Sequence, residues 1–282
     1  MKKLLRLPLT RIVIGLVVCI SSVTLTQLVF VQLFENSQLD KYIRAFLAGA
    51  IATAVVVLVY SAFYKRIEKR EITELSPTHL GTHLSAGVAL GIILQSLTIL
   101  VIYVAGSYVV ISVNSFADLL PALTMGFTAA IIEEILFRGI IFRITEERLG
   151  SYASLFISAL LFGIVHILNP HSSFVTAIGL AIQAGLLLGA AYVYSKNLWF
   201  PIAIHFGWNF AQSGIFGAST SGGQASRSLI TSKIAGNELV TGGAFGPEGS
   251  VQATLICFTA MIILMILNHR QGKIVGPRQK ES

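Results

Sequence analysis

Glu133 and Glu134 stand side by side in the string IIEEILFRGII, one of the most apolar stretches of the chain, and Arg138 follows four residues after the second. A charge near the centre of a bilayer costs about 2.5–3.5 kcal/mol on insertion scales, so such groups normally face a protein interior or a wet cavity and mark a functional site. Glu134 and Arg138 are one helical turn apart, with the acid on the amino-terminal side, so they share a face and can pair. Glu133 projects about 100° away and has no obvious partner in its own helix. An unpaired carboxylate in an apolar setting is suited to act as a general base on water. The plainer alternative is that both acids pair with neighbouring helices and only fix packing.

Three further polar groups lie in apolar segments downstream. His166 is in LLFGIVHIL, four residues after Phe162; His205 is in IHFGWNF, four residues before Asn209. His205 and Asn209 therefore offer two hydrogen-bonding groups one turn apart on one helix face. A single histidine in a membrane helix is as readily a packing group as a functional one. Two of them, with an amide and a free glutamate, favour a site.

These residues spell E-E-x-x-x-R, F-x-x-x-H and H-x-x-x-N in order over about 77 residues, from Glu133 to Asn209. In that order, spacing and apolar setting the chain resembles the CPBP family, the CAAX protease and bacteriocin-processing (Abi) enzymes. The resemblance implies peptide hydrolysis within the membrane. Glu133 would activate water together with His166, His205 and Asn209 would hydrogen-bond the oxyanion, and Glu134 with Arg138 would hold the geometry. No serine, cysteine or threonine is needed as nucleophile, and Ser213, one turn beyond Asn209, reads as an ordinary helix-packing serine. No cofactor is certain. Glu133, His166 and His205 could form a two-histidine, one-carboxylate zinc set with a free position for water, but the chain has no H-E-x-x-H helix. The resemblance leans towards metal-free chemistry, although the family is commonly labelled metalloprotease.

The elements that must position these groups are membrane helices. Of 282 residues, 54% are hydrophobic and only 12% charged, with a mean hydropathy of +0.78, about half the charged fraction of a soluble domain. Eight apolar runs approach the roughly 20 residues that cross a bilayer, near 12–34, 43–64, 84–106, 117–142, 152–168, 174–194, 198–216 and 251–267. The expected fold is an all-α integral membrane protein of about eight helices around a polar cavity, a single membrane domain over 1–282. The run after Lys2, Lys3, Arg6 and Arg11 is too long for a signal peptide and lacks a cleavage site, so it reads as a retained span. With the amino terminus in the cytoplasm, fifteen lysines and arginines fall inside and four outside (Lys41, Arg44, Arg227 and Lys233). The positive-inside rule then places both termini, including the tail 268–282, in the cytoplasm of a multi-pass protein, in a bacterium that of the plasma membrane. The fifth run is short, and counting from the loop ends puts Glu133, His166 and His205 at about 15, 22 and 10 Å of depth, which a tilted fifth helix or helices extending past the bilayer would reconcile.

Two segments lie outside the runs. Lys65–His83 carries four basic residues with Glu68, Glu71 and Glu74, and reads as a helical extension of the second span ending near Pro77, a solvated linker whose charges set topology. Residues 217–250, rich in Gly, Ser and Thr, form the longest structureless stretch, extramembrane, and a lid or substrate-contacting role is open to it. Cys19 and Cys257 lie in apolar runs as small hydrophobes. The net charge of +7 sits beside apolar spans and not on a nucleic-acid-binding module, so no nucleic-acid partner is expected. The expected partners are the bilayer and a membrane-associated peptide or protein substrate, lipidated or CAAX-like; nothing reads on oligomeric state. Two rivals to an endopeptidase are a non-catalytic immunity or scaffold protein binding a peptide or partner in the same polar core, and a transporter. The latter predicts pseudo-symmetric halves with broken helices, which the chain lacks.

Overall fold

The computed structural model describes residues 7–35 and 37–278. Lys2, Lys3, Arg6 and Lys280, counted above in the charge asymmetry, and the last residues of the tail lie outside them. The chain is built from α1 (Pro8–Phe34), α2 (Lys41–Glu68), α3 (Leu80–Val104), β1 (Tyr108–Val113), α4 (Leu120–Glu134), α5 (Arg143–His166), α6 (Phe174–Leu180), α7 (Leu187–Ser195), α8 (Trp199–Asn209), β2 (Ile230–Ile234), α9 (Glu238–Thr241) and α10 (Val251–Arg270). It is an all-α integral membrane protein apart from one small ribbon. Among the described residues six stretches are long and apolar enough to cross a bilayer, against the eight expected. The differences have local causes. The stretch Phe116–His166 holds both the fourth and the fifth runs, which meet at a kink at Gly150, and the seventh is the shorter helix of α8 with its continuation to Ile215.

Gly150 explains the join. It interrupts α5 at φ 77° and ψ 173°, backbone that glycine adopts freely and other residues rarely do, so the chain reverses there, inside the polar break at 143–151 that separates the fourth and fifth runs. The depth mismatch closes at the same point. Counted from Gly150, Glu133 and His166 are 17 and 16 residues away on the two arms, both about 25 Å along a helix. His205 starts deeper than its position suggests, because Leu198, at the head of α8, is fully buried and its amide donates to the Glu74 carbonyl at 2.7 Å.

Helix α8 reaches the centre because α3 lets it approach closely. A Cβ placed on Gly91 would stand 2.2 Å from the Ile204 carbonyl oxygen and 2.7 Å from the Trp208 nitrogen, and one on Gly207 would stand 2.5 Å from the Val88 carbonyl. Small residues at such crossings let backbones pack where lipid supplies no hydrophobic drive.

The segment after α2 is not a solvated linker. Helix α2 ends at Glu68, with Lys69 left-handed at φ 54°, well short of Pro77. Glu74, buried, and Glu68, half-buried, belong to an ionic cluster: Arg143 Nη1 lies 2.9 Å from Glu68, Arg70 donates to Glu74 at 2.6 Å, and Arg11 and Tyr60 bond Glu68 and Glu74 respectively. The charges that set topology on paper also tie α1, α2 and α5 together. Arg44 and Arg227 belong to the other end, where Arg227 lies 4.8 Å over the Tyr42 ring and Arg44 donates to the Phe34 carbonyl.

Nor is 217–250 structureless. Strand β2 pairs antiparallel with β1, Tyr108 opposite Ile234 and Val113 opposite Ile230, with a bulge between Val110 and Ser112. The valine-rich YVVISV run suits a strand, but pairing 120 residues apart leaves no local trace.

Gly91→Ala should push α8 away from α3 and cost about 1–3 kcal/mol, as overpacking does, seen as a lower unfolding temperature in detergent; wild-type stability would refute the close crossing. At Glu74, burial pushes the carboxyl up, but hydrogen bonds from Arg70 and Tyr60 outweigh it and hold the group below the ordinary 4.5. Its stabilisation is then complete above about pH 4.5 and lost as pH falls through the lower folded value. Thermal unfolding scanned against pH should show this acid loss in wild type and less of it in Glu74→Gln, and equal curves would contradict it.

Candidate active site

The site is built around three π-turns, Ile135–Phe142, Ala181–Leu186 and Phe210–Ile215. Such insertions displace helical carbonyls from their usual partners and recur at functional sites. The first carries Arg138, which is fully buried. Its Nη1 donates to Glu134 Oε1 at 2.8 Å, and its Nη2 donates to the carbonyls of Ala184 and Gly185, at 2.6 and 3.0 Å, in the second turn. Arg138 also lies 5.3 Å over the ring of Phe162, so one guanidinium pins the end of α4, α5 and the turn Ala181–Leu186 to each other.

Glu134 has a second partner that helical spacing cannot reveal. His205 Nδ1 donates to Glu134 Oε1 at 3.0 Å across 71 residues of sequence. The carboxylate that pairs with Arg138 therefore also sets the ring orientation of His205 and leaves Nε2 to the cavity. His166 is held in the same sense: its Nδ1 lies 2.7 Å from the Phe162 carbonyl. A carbonyl can only accept, so that nitrogen carries the proton and Nε2 is bare in the neutral ring. Phe162 stacks on His166 with ring centroids 4.4 Å apart.

Glu133 Oε2 faces His166 Nε2 at 3.8 Å and has no hydrogen-bond partner, although the atom is buried. The two acceptors thus face each other closely with no protein donor between them. Asn209, one turn beyond His205 on α8, is buried and lines the same cavity of about 340 Å³ as Glu133, His166 and His205. All four proposed catalytic residues thus converge, with Glu134 and Arg138 behind them. Ser213 donates to the Asn209 carbonyl at 2.8 Å, the ordinary helix-packing role expected of it.

The residues do not fit a metal ion in this arrangement. Among the described residues no three histidine, cysteine, aspartate or glutamate side chains are grouped to hold one, so Glu133, His166 and His205 do not form the zinc set left open above.

Sequence reading missed the far wall of the cavity. Residues 217–250 fold onto its mouth and contribute Thr220, Ser221 and Glu248. Asn169 donates to the Ser221 carbonyl at 3.1 Å, Gln212 to Ser219 at 2.6 Å, and Gln183 to the Glu248 carbonyl at 2.8 Å. The available signal was an acid, in Pro247-Glu248-Gly249, three residues before an apolar helix.

Arg138→Ala would leave Glu134 buried without its cation, a change that typically costs about 3–5 kcal/mol. A sharp fall in yield and unfolding temperature is expected, with loss of any activity. Normal yield with full activity would show that the pair supports nothing.

No curated protein and no solved structure matches the chain. Residues 114–211, which contain every motif residue named above, match the family described as type II CAAX prenyl endopeptidase Rce1-like. Over this stretch, which is less than half of the chain, the protein is similar to the Rce1-like CAAX prenyl endopeptidases.

Proposed function

We propose that the protein hydrolyses a peptide bond in a membrane-associated substrate, with Glu133 as the general base. The observation that carries this reading is the partnerless Glu133 Oε2 facing the bare Nε2 of His166 at 3.8 Å, two acceptors that one water can serve as donor to both. A water held between them gives its proton to Glu133 as its oxygen attacks the scissile carbonyl carbon. The tetrahedral oxyanion then accepts hydrogen bonds from Asn209 Nδ2 and from His205 Nε2. In that state the His205 ring carries protons on both nitrogens, and Glu134 balances its charge. Fixed donors in a water-poor cavity need little reorganisation as charge develops, which is where most of the rate gain in such sites arises.

The family's CAAX specificity supports a prenylated or otherwise hydrophobic carboxy-terminal peptide as substrate. The apolar share of the cavity wall, with Leu136, Phe137, Leu187 and Ile204, suits such a chain. The chain reads as one membrane domain over 1–282, and the asymmetry of fifteen basic residues to four supports cytoplasmic termini.

Glu133→Gln keeps the shape of the side chain and removes the base. Assayed in proteoliposomes on a farnesylated CAAX peptide, it should unfold at the wild-type temperature and cleave at least about a hundredfold more slowly. Wild-type turnover by that variant would remove Glu133 from the chemistry.

A further inference from the structure

The hydrolysis above lacks one component. When the carbon–nitrogen bond of the tetrahedral intermediate breaks, the departing amine needs a proton. Glu133 has just received one from water but stands on the attacking side, the Nε2 of His166 is bare, and His205 is engaged with the oxyanion. One other carboxyl lines the cavity. Glu248 is 2% exposed and sits in the lid segment, not among the family's motif residues.

Its placement is a built one. The Ser221 amide donates to Glu248 Oε1, and Gln183 holds the Glu248 carbonyl while its Nε2 also reaches Thr254 Oγ1, both at 2.8 Å. Among the described residues no lysine or arginine pairs with Glu248. Burial pushes its carboxyl up to about 7, against the opposing pull of Ser221, Trp208 and His205, so near neutral pH a large share of the molecules hold the acid form.

Resting on the peptidase reading, we propose that Glu248 is a further catalytic residue, the general acid that protonates the leaving amine from the lid side of the cavity. The scissile carbon–nitrogen bond breaks as the Glu248 proton passes to nitrogen, and the nitrogen keeps the bonding pair. The water proton remains on Glu133 and the water oxygen ends in the new carboxyl group. That carboxyl group returns its proton to Glu248, Glu133 releases its own to the amine or to solvent, and the cycle closes with no other reactant. Segment 217–250 is then part of the active site and not only its cover.

An ester in place of the scissile amide separates this role from a structural one, because an alcohol leaves with far less help from an acid. Glu248→Gln keeps an oxygen to accept from Ser221 and removes the transferable proton. In proteoliposomes, Glu248→Gln should slow cleavage of a farnesylated CAAX peptide by about a hundredfold or more, while hydrolysis of the matching depsipeptide falls less than about tenfold. Glu248→Asp, which retains an acid, should recover part of the amide rate. Partial misfolding lowers both rates alike and leaves their ratio unchanged. Amide and ester losses within about tenfold of each other, total loss of both included, overturn the inference. Wild-type protein that cleaves neither probe, or cleavage that survives Glu133→Gln, sinks the peptidase reading instead.

Discussion

Everything at the centre of this protein depends on one buried carboxylate. Glu134, fully enclosed, accepts from Arg138 and from His205 through the same oxygen. Enclosing a charge is costly unless it is paired and hydrogen-bonded, and the two partners that meet that requirement come from different functions. Arg138 carries the charge on to the carbonyls of a π-turn and so fixes helix packing; His205 carries it into the cavity and so fixes chemistry. Losing the structural pair would disorient the catalytic ring, and losing the ring would leave the pair less well satisfied. The site is therefore inseparable from the fold that holds it.

That coupling explains why irregular helix accumulates here. A regular α-helix uses its own carbonyls, and a membrane interior offers no water to replace them. The turn Ala181–Leu186 offers carbonyls to Arg138, the turn Ile135–Phe142 presents that arginine, and the turn Phe210–Ile215 begins directly after Asn209. Close crossing of α3 and α8 at Gly91 and Gly207 then brings His205 and Asn209 against the same cavity as Glu133 and His166.

Much of this could be read in the chain, wherever the information is local. The i, i+4 relation of Glu134 and Arg138, the isolation of Glu133, and the shared face of His205 and Asn209 follow from the helix period alone. The double role of Glu134 does not, because its second partner lies 71 residues away and a local pair already accounted for the charge. Hydropathy placed the apolar runs and the polar break at 143–151, but not that the break stays helical up to a single turning glycine, Gly150. Composition leaves a lid role open to 217–250 without placing it, for a related reason: the pairing of β1 with β2 and the descent of Glu248 into the cavity are long-range events, and a Gly- and Ser-rich stretch gives the same local signal whether or not it is docked. The burial of Glu68 and Glu74 has no local trace either, because Arg11 and Arg143, which pair with Glu68, sit on other helices, and Tyr60, which bonds Glu74, sits well back in the chain.

Both imidazoles are oriented through Nδ1, by Phe162 in one case and Glu134 in the other, so that Nε2 of each is turned to the reacting groups. Nitrogen-15 NMR of histidine-labelled protein in micelles, with His166 and His205 assigned by single substitutions, reports this directly. The predicted result is a proton on Nδ1 of both rings, lost from His205 in Glu134→Gln while His166 is unchanged. Finding Nδ1 bare and the proton on Nε2 in His166 or in His205 would contradict the account.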